Sequence, residues 1–144
     1  MRTTTKKRIL FLCGANSARS QMAEGLLRHY YGDRFEAFSA GAKASFVHPV
    51  AIRVMAELGI DISGQRSKSV AEFNGTEMDS VITLCAADPN AVCVTFFGRA
   101  GEELHWDIPD PAAVRGTEAE QLAAFRHARD AIKTRIDKLV SAEA

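Results

Sequence analysis

The clearest pattern in the chain is an alternation of short apolar runs with helical ones. Residues 7–12 end in Ile9-Leu10-Phe11-Leu12, a continuous apolar run of the kind buried on both faces of a parallel sheet. Residues 20–31 place Met22, Leu26, Leu27 and Tyr30 at helical spacing, and Gly32 stops the run. Residues 35–40 alternate aromatic and small side chains and predict a second strand, ended by Gly41. Pro49 suits the first position of a second helix, Gly59 closes it, and Val50, Ile52, Val54, Met55 and Leu58 lie inside. A polar loop over 60–69 leads to a short helix at 70–73, and residues 79–85 hold Val81-Ile82-Thr83-Leu84 and end a third strand on Cys85. Residues 86–101 read as irregular, 103–106 as a short fourth strand, and 107–111 as a loop because it contains two prolines. Thr117 and Glu120 form a capping-box pattern before a long helix with Leu122, Phe125, Ile132, Ile136 and Leu139 inward. Strands separated by helical segments predict a single three-layer α/β domain over 1–144, with 1–6 frayed. Its core is a four-stranded parallel sheet with helices on both faces.

One stretch departs from this alternation. Cys13-Gly14-Ala15-Asn16-Ser17-Ala18-Arg19-Ser20 lies between the first strand and the first helix. A strand, a tight turn and a helix aim backbone N–H groups and the positive end of a helix dipole at one point, which suits an anion. A cysteine at the start of such a turn gives up its proton readily, because the same field stabilises the thiolate. An arginine six positions later offers a planar fork to two oxygens of a tetrahedral oxyanion. The bland alternative is a buried structural cysteine with Arg19 as a solvated charge, and the strand-turn-helix context argues against it. A nucleotide-type phosphate loop is excluded, since no Gly-Lys-Ser/Thr follows the turn.

Composition narrows the class further. At 144 residues, 47% apolar and 25% charged, the chain has the make-up of a soluble globular domain. Eighteen basic and eighteen acidic residues cancel, which gives no electrostatic case for nucleic-acid binding. No apolar stretch approaches a membrane span, and no leader pattern precedes the first strand, so a cytoplasmic monomer is the expectation. Three cysteines (Cys13, Cys85 and Cys93) do not make a structural disulfide framework, and their spacing with the four histidines is not that of a zinc site.

The loop 13–20 followed by Gln21-Met22-Ala23-Glu24-Gly25 resembles the arsenate reductases built on the low-molecular-weight protein tyrosine phosphatase fold. The same resemblance runs through Ser39-Ala40-Gly41, Gly59-Ile60-Asp61-Ile62-Ser63, Val81-Ile82-Thr83-Leu84-Cys85, and His105-Trp106 before Asp110-Pro111. It covers nearly the whole chain. It implies a flavodoxin-like sheet and reduction of arsenate to arsenite, with phosphate and sulfate as competing anions. It implies no bound cofactor, and electrons from thioredoxin or from glutaredoxin and a low-molecular-weight thiol. By this resemblance Cys13 attacks arsenic, and Arg19 and the loop Gly14, Ala15, Asn16, Ser17, Ala18 and Ser20 hold the oxygens. Asp110 acts as general acid, and Cys85 and then Cys93 carry a thiol-disulfide relay. The hydroxyls of Ser17 and Ser20 are candidates to hydrogen-bond the sulfur, and Asn16 to brace the loop.

Several points stay open in the sequence. Cys93 lacks the proline that many relatives carry directly after this cysteine; Val94 stands there. Asp107 competes with Asp110 as the acid, although the family's acid directly precedes proline, as Asp110 does. Some relatives hold a potassium ion near the loop. Asn16, Glu24 and Ser39 match three of its ligands, and Lys68 stands at the fourth, so the expectation is that Lys68 replaces the ion and pairs with Glu24. A phosphotyrosine phosphatase needs only Cys13, Arg19 and Asp110, and weak phosphatase side activity fits them. The aromatic pair that such enzymes place after the Asp-Pro is Ala112-Ala113 here. The reductant is not readable from the residues.

Overall fold

The computed structural model describes residues 6–85 and 94–142. Its sheet has four strands in the order β2-β1-β3-β4, with β1 at Lys7–Cys13, β2 at Phe35–Gly41, β3 at Glu77–Thr83 and β4 at Arg99–His105. All three pairings are parallel, with Cys13 opposite Gly41 and Leu12 opposite Thr83. The central β1 is buried on both faces, as its uninterrupted apolar run demands. Ile9, Phe11 and Cys13 join the core under the helices, while Leu10 and Leu12 join the core of the other face.

The α-helices are α1 (Arg19–Tyr31), α2 (Pro49–Ala56) and α3 (Glu118–Ala142). Their buried residues, among them Met22, Leu26, Val54, Met55, Phe125, Ile132 and Ile136, form one cluster with Ile9 and Phe11. The second face is covered more thinly. A 3-10 turn at Val70–Phe73 and the side chains of Phe38, Val94 and Phe96 lie over Leu10, Leu12, Met78 and Val81. The helical cover on the two faces is therefore unequal. Among the described residues no helix is long and apolar enough to cross a membrane.

Local chemistry sets the helix ends. Gly59 at φ +77° takes the left-handed position after α2. The Gly59 N–H donates to Ala56 O at 2.9 Å and Ile60 N–H to Met55 O at 3.1 Å, the paired bonds of a Schellman stop. The expected capping box opens α3, with Glu120 N–H donating to Thr117 Oγ1 and the Thr117 hydroxyl to Glu120 Oε1, both 3.2 Å. Arg126 and Arg129 of α3 both hydrogen-bond Glu57 just past α2, which holds that carboxyl down to about 2.

Two expectations need correction, and one buried arginine gave no signal in the sequence. The fourth strand begins at Arg99, not at 103. It is an edge strand bearing Glu102 and Glu103, exposed along most of its length, so it carries no apolar alternation to announce it. Tyr30, expected inward, is 41% exposed. Its ring lies under the Lys133 ammonium at 4.5 Å, and Tyr31 packs against the core instead, its hydroxyl donating to Asp137 at 2.6 Å. Arg129, unremarked on α3, is 8% exposed and donates to Val54 O at 2.7 Å, tying the helix to α2.

Candidate active site

The turn that follows β1 is held from outside by its carbonyls. Gly14 O accepts from Lys43 N–H at 3.2 Å and Ser17 O from His48 N–H at 3.0 Å. Ala15 O accepts from the hydroxyls of Ser45 at 2.9 Å and Ser67 at 3.1 Å, and Asn16 O from Gln21 Nε2 at 3.0 Å. Successive carbonyls turned outward leave the N–H groups of the turn facing inward, the concave arrangement that receives an anion. Asn16 makes the curve possible at φ +49°, a left-handed conformation that asparagine tolerates better than most residues. Behind the turn stands Gly41. A methyl group there would lie 2.6 Å from Asn16 N and 2.8 Å from both Cys13 O and Gly14 O, so only glycine lets β2 back the loop this closely.

Cys13 is 3% exposed and carries a free thiol at the floor of a cleft of about 470 Å³. Gly14, Ala15, Ser17, Ala18, Arg19, Ser45, Phe46, Asp110 and Ala112 line the rest of it. The first turn of α1 opens onto this cleft with Ala18 at its N-cap and no side-chain cap, so its N–H groups are left to a ligand. Of the two candidate serines, Ser20 meets the sulfur, Oγ to Sγ at 2.8 Å; Ser17 lines the cleft.

Arg19 and Asp110 enter from opposite sides. The Arg19 side chain is 11% exposed, and its Nη2 lies 3.9 Å from Asp110 Oδ2. Its Nη1 donates to Leu84 O at 3.0 Å and Ile108 O at 2.9 Å. One guanidinium thus links the anion loop, the residue before Cys85, and the segment bearing the candidate acid. Trp106, packed on Phe11 with ring centroids 6.0 Å apart, anchors the start of that segment. Asp110 accepts from Ala112 N–H at 3.0 Å, which turns its carboxylate to the cleft. Asp107, the competing acid, lines a different cavity between this segment and α3.

Cys85 follows β3. Leu12 is in register with Thr83, and Leu84 N–H donates to Leu12 O at 2.8 Å, so Cys13 and Cys85 leave adjacent strands at the same carboxyl edge. Cys85 is half-buried and disulfide-bonded. Cys93 lies outside the described residues.

Beside the loop is a buried charged cluster. Glu24, 5% exposed, accepts from Ser39 Oγ at 2.6 Å and from Arg28 Nη2 at 2.7 Å. Lys68 Nζ stands 3.6 Å from Glu24 Oε1 and donates to Arg66 O at 2.7 Å, while Lys68 N–H donates to Asn16 Oδ1, also at 2.7 Å. Burial lowers the ammonium's pKa and Glu24 opposes that shift. His48, half-buried, caps α2 by accepting Val50 N–H at Nδ1, 3.1 Å, and packs on Phe125 at 4.8 Å. Burial lowers its pKa, and the negative charge of Asp110 raises it by less.

Sequence reasoning missed Gln21, Gln65 and His48. Gln21 is fully buried, with Nε2 donating to Asn16 Oδ1 at 2.8 Å and to Arg66 O at 3.1 Å. Its signal was available: it lies one and two turns before Glu24 and Arg28 on a polar face of α1, and polar groups buried there must find partners.

A strand ending in a cysteine, an anion-receiving turn, and an arginine paired with an aspartate from a distant loop define a phosphatase-type site. The model of the low molecular weight phosphotyrosine protein phosphatase family matches residues 8–143, and the chain belongs to that family. It is 44% identical over 131 residues to the arsenate reductase of Halalkalibacterium halodurans, covering 91% of this chain and 93% of that one. It is 36% identical over 135 residues to the glutaredoxin arsenate reductase of Synechocystis sp., covering 94% and 97%. Among solved structures it is similar to an arsenate reductase in the oxidized state, with a TM-score of 0.80 and 34% identity over 96% of this chain and 99% of that one.

Proposed function

We propose that this protein reduces arsenate to arsenite. The observation that carries the reading is the Arg19 side chain, which joins the Cys13 loop to the carbonyl preceding Cys85 and to the Asp110 segment. The relatives named above support the choice of oxyanion.

The Cys13 thiolate attacks arsenic, an As–O bond breaks, and Asp110 gives a proton to the departing oxygen, which leaves as water. The loop N–H groups and Arg19 hold the remaining oxygens as charge builds on them. Cys85 then attacks the Cys13 sulfur. The S–As bond breaks with its electron pair left on arsenic, which leaves as arsenite, and a Cys13–Cys85 disulfide forms. Cys93 attacks Cys85, frees Cys13, and the Cys85–Cys93 disulfide passes its oxidation to an external dithiol by exchange. A free Cys13 beside a disulfide-bonded Cys85 is the pattern the end of this sequence requires. The external dithiol is thioredoxin or glutaredoxin with a low-molecular-weight thiol, and the protein works as a cytoplasmic monomer. Lys68 takes the place of a bound cation beside Glu24 and Ser39.

The test is arsenate turnover by wild type and by the Cys13→Ser, Cys85→Ser and Cys93→Ser variants, with each reductant supplied separately. Wild type turns over and all three variants do not. Cys85→Ser and Cys93→Ser retain slow hydrolysis of para-nitrophenyl phosphate, which needs only Cys13, Arg19 and Asp110. Full arsenate turnover by Cys85→Ser would refute the relay. No arsenate turnover by wild type with any reductant, alongside brisk aryl phosphate hydrolysis, would favour the phosphatase instead.

A further inference from the structure

Five side chains link the surface of α1 to the nucleophile through a series of hydrogen bonds, the first four of which run one way. Arg28 Nη1 donates to Gln65 Oε1 at 3.2 Å. Gln65 Nε2 donates to Gln21 Oε1 at 2.7 Å, and Gln21 Nε2 to Asn16 Oδ1 at 2.8 Å. Asn16 Nδ2 donates to Ser20 Oγ at 2.8 Å, and Ser20 Oγ lies 2.8 Å from Cys13 Sγ.

The direction does not rest on a guessed amide orientation, because a backbone group pins each amide. Gln65 Nε2 also donates to Gln21 O at 3.1 Å, so it is a nitrogen. Gln21 Nε2 also donates to the carbonyls of Asn16 and Arg66. Asn16 Oδ1 accepts the backbone N–H of Lys68, so it is the oxygen and the other atom is the donor. Arginine has no acceptor to offer at the far end. A Cys13 thiolate has only lone pairs to offer, so with the sulfur ionised it is the Ser20 hydroxyl that donates across this contact. Asn16, Ser20 and Gln21 are fully buried, so bulk water does not screen the inner half of the chain.

We propose that Gln21 and Gln65 are positioning residues that carry the polarisation of the Arg28 guanidinium through Asn16 to the Ser20 hydroxyl, holding its proton on the Cys13 sulfur and favouring the thiolate. This rests on Cys13 being the nucleophile of the reading above, and not on which oxyanion it attacks. In a low-dielectric interior each bond in such a series strengthens the next by about 10–30%. Losing the two outermost links therefore costs a factor of roughly two in thiolate at a pH where the thiol is only partly ionised. Gln65 sits 44 residues from Gln21 in the chain, in the same polar loop whose Ser67 and Lys68 brace the anion turn.

The experiment measures Cys13 alkylation by iodoacetamide in the full-length chain carrying Cys85→Ser and Cys93→Ser, so that only one thiol reports. Gln65→Met lowers the rate about twofold at pH 6, and the deficit shrinks at pH 9 as more of the thiol ionises in both proteins. In the Gln21→Met background, or in the Arg28→Met background should the buried change prevent folding, Gln65→Met has no further effect, since the series is already cut. Equal rates at pH 6, an equal loss at both pH values, or additive losses would overturn the proposal. An intact alkylation pattern in a protein that fails to reduce arsenate supports this chain of donors and counts only against the substrate.

Discussion

Gly41→Ala is the sharpest test of how the anion loop is held. The added methyl would meet three backbone atoms, Asn16 N at 2.6 Å and the Cys13 and Gly14 carbonyl oxygens at 2.8 Å. No rotamer relieves such contacts, because backbone rather than a side-chain tip stands in the way. Restoring ordinary separation of about 3.4 Å or more moves β2 or the loop by over half an ångström. β2 is the less free of the two, being in register with β1 along seven residue pairs. The loop therefore moves, and with it the N–H groups that receive the oxyanion. Overpacking of this kind costs on the order of 1–3 kcal/mol in stability, or several degrees in Tm for a chain of this size. Misplacing catalytic groups by this fraction of an ångström costs roughly 10–100-fold in rate. The assay is kcat/KM for arsenate-driven oxidation of the reductant, beside a thermal melt and calorimetric binding of inorganic phosphate. Phosphate binding and kcat/KM should fall together while the melt stays cooperative. A variant within twofold of wild type in both would mean that the backbone behind the loop has slack, and that the close packing of Gly41 does not position it.

Two further outcomes follow from the surrounding residues. Wild-type turnover should be the same in potassium chloride as in sodium chloride, because the Lys68 ammonium already stands beside Glu24. Lys68→Ala leaves that carboxylate needing a cation and makes turnover potassium-responsive, whereas several-fold stimulation of the wild type would refute the substitution argument. His48 accepts Val50 N–H at Nδ1 and so caps α2 only while neutral, and burial lowers its pKa below the usual 6.5. The unfolded chain thus takes up the proton more readily, and stability that is full above about pH 6.5 is lost as pH falls through the lower folded value. Denaturant titrations should show His48→Asn, which caps without titrating, losing less stability than wild type between pH 7 and pH 5. Parallel profiles for the two proteins would show that His48 does not carry this pH dependence.

What the sequence made legible follows from how local each signal is. The strand-loop-helix unit around Cys13 is contiguous, and apolar runs, glycine stops and a capping box mark their elements whatever lies across the fold. β4 was half hidden because an edge strand satisfies only one neighbour and exposes Glu102 and Glu103, leaving no periodicity to read. The partners of the loop are distant in the chain and of ordinary type. Ser45, His48, Ser67 and Lys68 reach it through hydrogen bonds, and nothing in a serine or a lysine announces that its partner lies 30 or 52 residues away.

That division has a physical cause. A thiolate in a turn needs an inward set of N–H groups, and the motif supplies them. Inward N–H groups need outward carbonyls, and a protein donor on each outward carbonyl fixes the direction in which it faces. The donors at Lys43, Ser45, His48 and Ser67 come from the segments after β2 and α2, which cross the outside of the loop. The loop's curvature is therefore a property of three chain segments, and only one of them carries the recognisable residues. Gln65 belongs to the third, reaching the loop through Gln21 rather than through a carbonyl. A change in the 60–69 loop should accordingly alter Cys13 before it alters the stability of the fold.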